Sequence, residues 1–288
     1  MSIRHFISQL VPDKYYLQYL YKKRTGKVLN LKNPKTFNEK LQWLKLYDRN
    51  PLYTIMVDKY EVKKYISESI GDQYVIPNYG VWSCFEDIEF DKLPNQFVLK
   101  CTHDSGGIII CTDKTRFDIK KAKLILDNSI KTNYYKLGRE WPYKNVKPRI
   151  IAELYLEDKS TNDLRDYKFF AFNGSVKAMF IATERQNEDK PTAFDFYDRE
   201  FKHLDIRHGH PNAEIPPKKP VNYEKMCELS EKLSIGIPHV RVDFYEVNGK
   251  IYFGEMTFSH HGGLLPFDPE KWDEVFGNWI ELPQRACK

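Results

Sequence analysis

The chain has 288 residues and a formal net charge of +5, the balance of 45 basic and 40 acidic side chains. Because the basic residues are interleaved with acids, this charge does not indicate a nucleic-acid-binding protein. Hydrophobic residues make up 41% of the chain and charged residues 30%, which excludes a disordered or collagen-like protein and is typical of a globular one.

The first part of the chain is predicted to be helical. Residues 36–39 read TFNE, a capping box, and apolar residues at helical spacing follow them. A second cap pattern begins at Asp58, and Gly71 is a natural end for the helix that it opens.

Strand patterns dominate the middle and the end of the chain. Residues 96–101 form a short apolar strand, and residues 107–111 read as its return strand. Asn173-Gly174 and Asn248-Gly249, the strongest kind of short hairpin signal, each lie between apolar strands. Because the strands come as hairpins between helices, we predict an α+β fold with antiparallel sheets. The polar segment 203–220 is predicted to be a loop.

The predicted strand 96–101 carries a lysine, Lys100, and a loop with two glycines follows that strand directly. Lys59, at the start of a capped helix, is a second basic candidate. Glycines let backbone N–H groups approach an anion closely, and lysine supplies a point charge for phosphate. In the other interpretation, the glycines only form a hairpin turn, and Lys59 is a solvated surface lysine. The residues concerned are Lys100, His103, Asp104, Ser105, Gly106 and Gly107.

Two acidic residues, Asp243 and Glu255, lie in the last predicted hairpin among apolar neighbours. Buried carboxylates are costly without a cation, and their oxygens are natural Mg²⁺ ligands. In the other interpretation, the acids face solvent and pair with Arg241 or with nearby lysines. Arg241 precedes Asp243 by two residues and shares its strand face.

Strand register separates these interpretations. A two-residue turn at Asn248-Gly249 puts Glu255 on the sheet face opposite that of Asp243. A three-residue bulged loop puts Glu255 on the same face, opposite Arg241. The metal interpretation therefore requires the bulged loop or another register of the same parity.

Taken in order, these pieces resemble the ATP-grasp superfamily, and most closely the TupA-like ATP-grasp proteins of bacterial surface-polysaccharide and teichuronopeptide gene clusters. The resemblance covers about residues 29–267. It implies an ATP-grasp fold of two lobes with antiparallel sheets and helices. The matching phrases are residues 33–40, 57–60, 97–103, 166–169 and 254–258.

The resemblance also implies a division of the chain and an ATP site. Residues 1–57 are expected to form a short helical segment, residues 58–150 the lobe with the glycine-rich loop, and residues 151–288 the lobe with hinge and metal site. The hinge backbone is expected to meet adenine, with Glu153 near its exocyclic amine. The expected nucleotide-binding residues are Lys59, Lys100, His103, Ser105, Gly106, Gly107, Glu153, Leu154, Tyr155, Leu156 and Lys168.

For the metal and the chemistry, the resemblance implies a second group of residues. Asp243 and Glu255 are the expected Mg²⁺ ligands. Thr257 is a third candidate, at a position where many superfamily members have a ligating Asn. Arg241 is expected to steady the acyl-phosphate oxyanion, and His260 to touch substrate or phosphate.

The implied reaction is ATP-dependent ligation, in which a carboxylate is phosphorylated and an amine then displaces phosphate. Mg²⁺ and lysines, Lys100 among them, offset charge on the transferring group, and the closed loop excludes water. By family context, the expected substrates are a uronic acid carboxylate of a capsule or cell-wall repeat and an amino acid amine. Candidates for lining their site are Arg207, His208, His210, His260 and His261.

Three other interpretations stay open. A glycosyltransferase of the same pathway is disfavoured because the chain has no D-x-D motif. A phosphotransferase would use the same ATP site and make a phosphoester without an amine. The third is a binding module without catalysis, against which the full set of candidate site residues argues.

We expect a cytoplasmic protein. No apolar run approaches the roughly 18 residues of a membrane helix, the opening residues MSIRHFISQLVP lack the features of a signal peptide, and the five cysteines show no zinc or C-x-x-C spacing. The aromatic N-terminal helix ends in Lys22, Lys23 and Arg24. It is either a packed helix with a basic end or a contact to the inner membrane face, where a lipid-linked oligosaccharide would be the partner.

Overall fold

The computed structural model describes residues 11–160, 163–185 and 190–284. The helices are α1 (Asp13–Thr25), α2 (Phe37–Tyr47), α3 (Leu52–Val57), α4 (Glu61–Ser69), α5 (Ile119–Ile130), α6 (Tyr135–Gly138), α7 (Tyr223–Leu233) and α8 (Lys271–Trp279). The strands are β1 (Asn78–Trp82), β2 (Phe97–Cys101), β3 (Ile108–Cys111), β4 (Ile150–Leu154), β5 (Asp166–Phe172), β6 (Ser175–Thr183), β7 (Ala193–Asp198), β8 (His203–Leu204), β9 (Val240–Val247) and β10 (Lys250–Thr257).

The first sheet is small and antiparallel, with strand order β1-β4-β2-β3. Helix α5 packs on it and buries Leu126 against Phe97, Leu99 and Ile150. Strand β4 belongs to this sheet, so the expected boundary between residues 150 and 151 falls inside one of its strands.

The second sheet is larger, also antiparallel, with strand order β10-β9-β5-β6-β7-β8. Helices α4 and α7 pack on one face, while α1, α2 and α8 cover an aromatic layer on the other. Two antiparallel sheets with separate helices confirm the α+β class. The described part of the helical N-terminal segment, which begins at residue 11, is therefore a cover for this sheet, and residues 1–10 lie outside the described residues.

Strands β7 and β8 were not predicted. Strand β7, AFDFYD, is buried on both faces over most of its length, so its sequence lacks the alternation that marks a half-exposed strand. Strand β8 is only two residues long and lies within the predicted loop 203–220, which it corrects.

Local signals were more reliable. The capping box of α2 is present, with Thr36 and Glu39 satisfying each other's backbone N–H groups. Both Asn-Gly pairs form two-residue turns with positive φ, 44° and 82° at Asn173-Gly174 and 50° and 79° at Asn248-Gly249. Among the helices of the described residues, none is both long and apolar enough to cross a bilayer.

Candidate active site

A cleft between the two sheets brings together seven of the predicted site residues in its lining. Strands of both sheets, the start of α4 and the β2–β3 loop contribute side chains to its lining. The lining residues are Lys59, Lys100, Ser105, Ile108, Glu153, Asp166, Lys168, Arg185, Asp243, Tyr245, Gly254 and Glu255.

The register of β9 and β10 changes parity within the hairpin. From the two-residue turn as far as Phe253, which lies opposite Phe244, the strands keep the register that would put Asp243 and Glu255 on opposite faces of the sheet. Gly254 then forms a β-bulge, after which Glu255 lies directly opposite Asp243. The parity that the metal interpretation requires is thus present, but the bulge produces it and not the turn.

Arg241 is the central group of this hairpin and is only 7% exposed. Its Nε and Nη2 donate to the two carboxylate oxygens of Asp243, both at 2.7 Å. Nη2 also donates to Glu255 Oε1 at 2.9 Å and to Thr257 Oγ1 at 3.0 Å. Nη1 lies 2.7 Å from His260 Nδ1. One guanidinium therefore contacts both expected metal ligands, Thr257 and the histidine predicted to touch substrate.

Lys168 neutralises the same site from β5, where it lies opposite Asp243. Its Nζ is 2.5 Å from Asp243 Oδ2 and 3.5 Å from Asp166 Oδ2. Asp166 also pairs with Arg185. Arg185 was missed, and Asp166 was noted only as part of the phrase 166–169, without a role at the site. Asp166 was recognisable in principle, because it precedes Lys168 by two residues on the same strand face. Arg185 lies just after the end of β6, and no sequence motif around it marks it as a site residue.

The donor set of Asp243 and Glu255 fits a Mg²⁺ ion. Although burial alone would raise the pKa of Glu255, the charges of Lys168 and Arg241 lower it to about 2, so the carboxylate is ionised at neutral pH. Its side chain is 39% exposed, and its contacts with Arg241 and Thr257 both use Oε1. An ionised oxygen is therefore accessible in the cleft, beside the carboxylate of Asp243.

Glu153 lies at the base of the cleft between two lysines. Its Oε2 is 2.7 Å from Lys100 Nζ and its Oε1 is 2.5 Å from Lys63 Nζ. Burial would raise the pKa of Glu153, but the two lysines lower it below its ordinary value. Both carboxylate oxygens of Glu153 thus contact lysines, whereas the resemblance implied that Glu153 lies near the exocyclic amine of adenine. Lys63 was missed, although it lies in the first turn of α4, only four residues after Lys59.

Lys59 is tied to the end of β2. Its backbone N–H donates to Thr102 O at 3.1 Å, and its Nζ donates to Asp104 O in the loop that follows the strand. The amine therefore faces the loop that the resemblance assigns to phosphate binding.

The two loop glycines differ in their surroundings. A Cβ on Gly107 would lie 2.2 Å from Ser129 Oγ, so glycine is needed there for packing on α5. A Cβ on Gly106 would meet nothing within 4 Å, and Gly106 and Ser105 are exposed at the loop tip. Ser105 Oγ lies 3.4 Å from the hydroxyl of Tyr134.

His103 differs from its predicted role. Its side chain is 4% exposed, and its Nε2 lies 3.2 Å from Ser129 O and 3.1 Å from Thr132 O at the end of α5. The ring thus fastens the loop to that helix and does not line the cleft.

The hinge residues continue from β4 beyond Glu153. The backbone N–H of Leu154 donates to Pro77 O at 3.0 Å. Leu156 is buried in a small apolar cluster with Ile76 and Val247, and Tyr155 is partly exposed. These three side chains are not part of the cleft lining, which leaves backbone groups as their means of contact with a ligand.

His208, His260 and His261 form a cluster whose ring nitrogens lie within 4.8 Å of one another. Burial lowers the pKa of His208 to about 4 and that of His261 to about 3, so both rings are neutral at pH 7. Arginine only donates, so the Nδ1 of His260 must accept from Arg241 and the ring proton lies on Nε2. With that proton in place, Nε2 has no lone pair for a cation, and the cluster does not fit a three-histidine metal site.

Comparison with known proteins gives one family and a set of solved structures. A family described as TupA-like ATPgrasp matches residues 39–281. Curated proteins give no match. D-alanine–D-alanine ligase from Bacillus anthracis complexed with ATP is 16% identical with a TM-score of 0.40, and covers 71% of this chain and 54% of its own.

Two further structures are similar. D-alanine–D-alanine ligase from Helicobacter pylori is 13% identical with a TM-score of 0.44 and covers 87% of this chain and 70% of its own. The RimK domain ATP-grasp protein from Sphaerobacter thermophilus is 11% identical with a TM-score of 0.44. The match covers 81% of this chain and 70% of that protein. The chain thus spans about half the length of the first ligase and more of the other two.

Proposed function

Because the chain belongs to the TupA-like ATP-grasp family, we propose that it is an ATP- and Mg²⁺-dependent ligase that joins a carboxylate to an amine through an acyl phosphate. Membership of this family confirms the expected ATP-grasp fold.

The charge balance of the cleft is the observation that carries the proposal. Together with Lys63 and Arg241, which contact its acids, the cleft holds six cationic and four anionic side chains, a surplus of two positive charges. A polyphosphate with its cation suits such a surplus, whereas a neutral sugar does not.

Each group has a part in the proposed reaction. Lys59 and Lys100 hold the phosphates, with Glu153 keeping Lys100 in place. Asp243 and Glu255 would hold Mg²⁺, which offsets charge on the transferring phosphoryl group. Arg241 donates to the oxyanion that forms at the acyl carbon.

The chemistry balances in two substitutions. An oxygen of the substrate carboxylate attacks the γ-phosphorus, and the bond to the β-phosphate oxygen breaks as ADP leaves with the electron pair. The amine nitrogen then attacks the acyl carbon, the bond to the phosphate oxygen breaks, and inorganic phosphate leaves. A substrate that arrives as a primary ammonium loses two of its three protons overall, and the amide keeps the third. Neither step needs a nucleophilic side chain.

For the substrates, we propose a uronic acid carboxylate, free or in a lipid-linked oligosaccharide, and an amino acid amine. The resemblance to the polysaccharide-associated branch of the family supports this choice. A place in the cytoplasm, or at the inner membrane face, follows from the same proposal, because ATP and lipid-linked precursors meet there.

Thermal shift with Mg²⁺ and nucleotide tests the proposal. ATP and ADP should raise the melting temperature of the wild type and UDP-sugars should not, because ligands stabilise the state that they bind. Lys100→Met should lose the rise, and Lys177→Met, on an exposed position of β6, should keep it. A rise with UDP-sugars alone, unaffected by Lys100→Met, would indicate a glycosyltransferase. ADP release that needs no amine and yields a phosphoester would indicate a phosphotransferase.

A further inference from the structure

The positive charge of the chain is concentrated near its beginning. Residues 11–40 contain eight basic and two acidic side chains, a net charge of +6, whereas the whole chain carries +5. All other residues together therefore carry a net charge of −1. An asymmetry of this kind indicates a surface that meets a polyanion or an anionic membrane.

The two acids of this segment are engaged elsewhere and leave most of its bases unneutralised. Asp13 accepts from the hydroxyl of Tyr135 at 2.5 Å and lies 3.2 Å from Arg139 Nε. Glu39 accepts from backbone N–H groups in the capping box of α2. Six exposed bases form no ion pair with any described residue at 4.0 Å or less, namely Lys14, Lys22, Lys23, Arg24, Lys32 and Lys35.

Helix α1 packs through one side and presents the other to solvent. Leu17 and Tyr21 are buried in the aromatic layer on the second sheet. Tyr15, Tyr19 and Lys22 lie on the opposite side, because each residue advances about 100° around a helix. The two tyrosines are 61% and 62% exposed. The packed-helix and the membrane interpretations of α1 are therefore compatible, since they use opposite sides of the helix.

Lys23 extends the exposed side of α1 into its last turn, and its Nζ lies 5.9 Å from the centroid of the Tyr19 ring. Tyr15, Tyr19, Lys22 and Lys23 thus form one strip without an acid, which we call the α1 face. Tyrosine rings suit the headgroup level of a bilayer, and lysines attract anionic lipids. The outer side of a helix is convex, whereas single-stranded nucleic acid is held in positively charged grooves. The α1 face therefore fits a bilayer better than a nucleic acid.

The beginning of α1 adjoins a segment that borders the active-site cleft. Asp13, in the first turn of α1, contacts Tyr135. The hydroxyl of the neighbouring Tyr134 lies 3.4 Å from Oγ of Ser105, which lines the cleft. A substrate held at a membrane under the α1 face would therefore approach the cleft over this segment.

We propose that the α1 face docks on an anionic bilayer, with the helix axis parallel to the membrane plane. The rings of Tyr15 and Tyr19 lie at the level of the headgroups, and Lys22 and Lys23 contact lipid phosphates. The binding is reversible, because two rings and a few lysines bury little apolar area. This inference goes beyond the proposed function and holds whichever reaction the cleft performs.

The test is flotation of the full chain with vesicles of equal parts phosphatidylglycerol and phosphatidylcholine at low ionic strength. The wild type should bind these vesicles at least about tenfold more tightly than vesicles of phosphatidylcholine alone, and added salt should weaken the binding. Lys22→Gln combined with Lys23→Gln should weaken it about 25-fold, or about fivefold for each lysine. Tyr15→Ser combined with Tyr19→Ser should weaken it about tenfold, because the apolar contact is lost.

A matched control separates the α1 face from net charge alone. Lys120→Gln combined with Lys121→Gln removes the same charge from an exposed pair on α5 and should bind vesicles like the wild type. All the double variants should keep the melting temperature of the wild type and its rise with Mg²⁺ and nucleotide. Absence of that rise in a wild type that binds vesicles would contradict the ligase and not the α1 face.

Four results would overturn the proposal. They are no binding of the wild type to the anionic vesicles, an equal loss in the α5 control, tighter binding of single-stranded RNA than of vesicles, and a dimer that Tyr15→Ser combined with Tyr19→Ser dissociates. The last result would assign the α1 face to a second copy of the chain.

Discussion

Glu255 lies opposite Asp243 because Gly254 adds one residue to β10 between the turn and the acid. Without that residue, the two-residue turn would send the two carboxylates to opposite faces of the sheet. The pair of acids in the cleft thus depends on one bulge, which an Asn-Gly turn alone would not produce.

Gly254→Ala should weaken Mg²⁺-dependent nucleotide binding about tenfold. A Cβ there would lie 3.1 Å from Asp243 O, so the bulge must shift and move Glu255 with it. The measurement is nucleotide affinity as a function of Mg²⁺ concentration. Gly249→Ala, in the turn with nothing within 4 Å of its Cβ, should cost stability but keep the Mg²⁺ dependence. Equal effects of both changes would contradict the role of the bulge.

Glu255 should give the protein an acid-sensitive stability. Its folded pKa of about 2 lies below the ordinary value of 4.5, so its contribution is complete above pH 4.5 and is lost as the pH falls toward 2. Glu255→Gln should therefore show a flatter decline of unfolding free energy between pH 5 and pH 3, measured by urea titration. Parallel curves for Glu255→Gln and wild type would show that the carboxylate is not held in this way, and Glu228→Gln, on the exposed side of α7, serves as the control.

Lys63→Met should lower both stability and nucleotide affinity. Glu153 would keep only Lys100, and the buried acid would draw that lysine away from the phosphates. We expect a loss of about 1–3 kcal/mol in unfolding free energy, as for a buried charge that loses one partner. Lys64→Met, next along α4 and 80% exposed, should change neither property. Unchanged ATP affinity in Lys63→Met would contradict the coupling of the two lysines.

Gly263→Ala should disturb the turn that carries His260. Gly263 has φ +61°, and a Cβ there would lie 2.6 Å from Gln42 Nε2 and 2.9 Å from Leu41 Cβ. Strain and collision together should cost about 3 kcal/mol or more. Gly236 has a similar φ of +75° and free space around it, so Gly236→Ala should cost about 1 kcal/mol. Similar losses in the two variants would show that the collision is relieved without cost.

The features that could be predicted from the sequence are those fixed by neighbouring residues. The Asn173-Gly174 hairpin and the capping box at Thr36 depend on contacts within about four positions, and both are confirmed. Asp243 and Glu255 stood out because charged residues in apolar strands are costly, a property also readable locally.

The rest of the site depends on contacts that sequence spacing does not encode. The parity of the β9–β10 hairpin comes from a bulge whose only sign in the sequence is a glycine. Arg185 reaches the site from just beyond the end of β6, where it pairs with Asp166 on the neighbouring strand. The ring of His103, which looked like part of a phosphate loop, is used to hold that loop against α5.

Arg241 and Lys168 give the cleft its own internal counter-ions. They satisfy the acids that would otherwise repel each other across the hairpin. Arrival of a metal–nucleotide complex would then be an ion exchange, in which the guanidinium gives up carboxylate oxygens and turns toward the reacting acyl group. The arginine would thus be free for catalysis only when the nucleotide is already in place, which links readiness for chemistry to occupancy of the site.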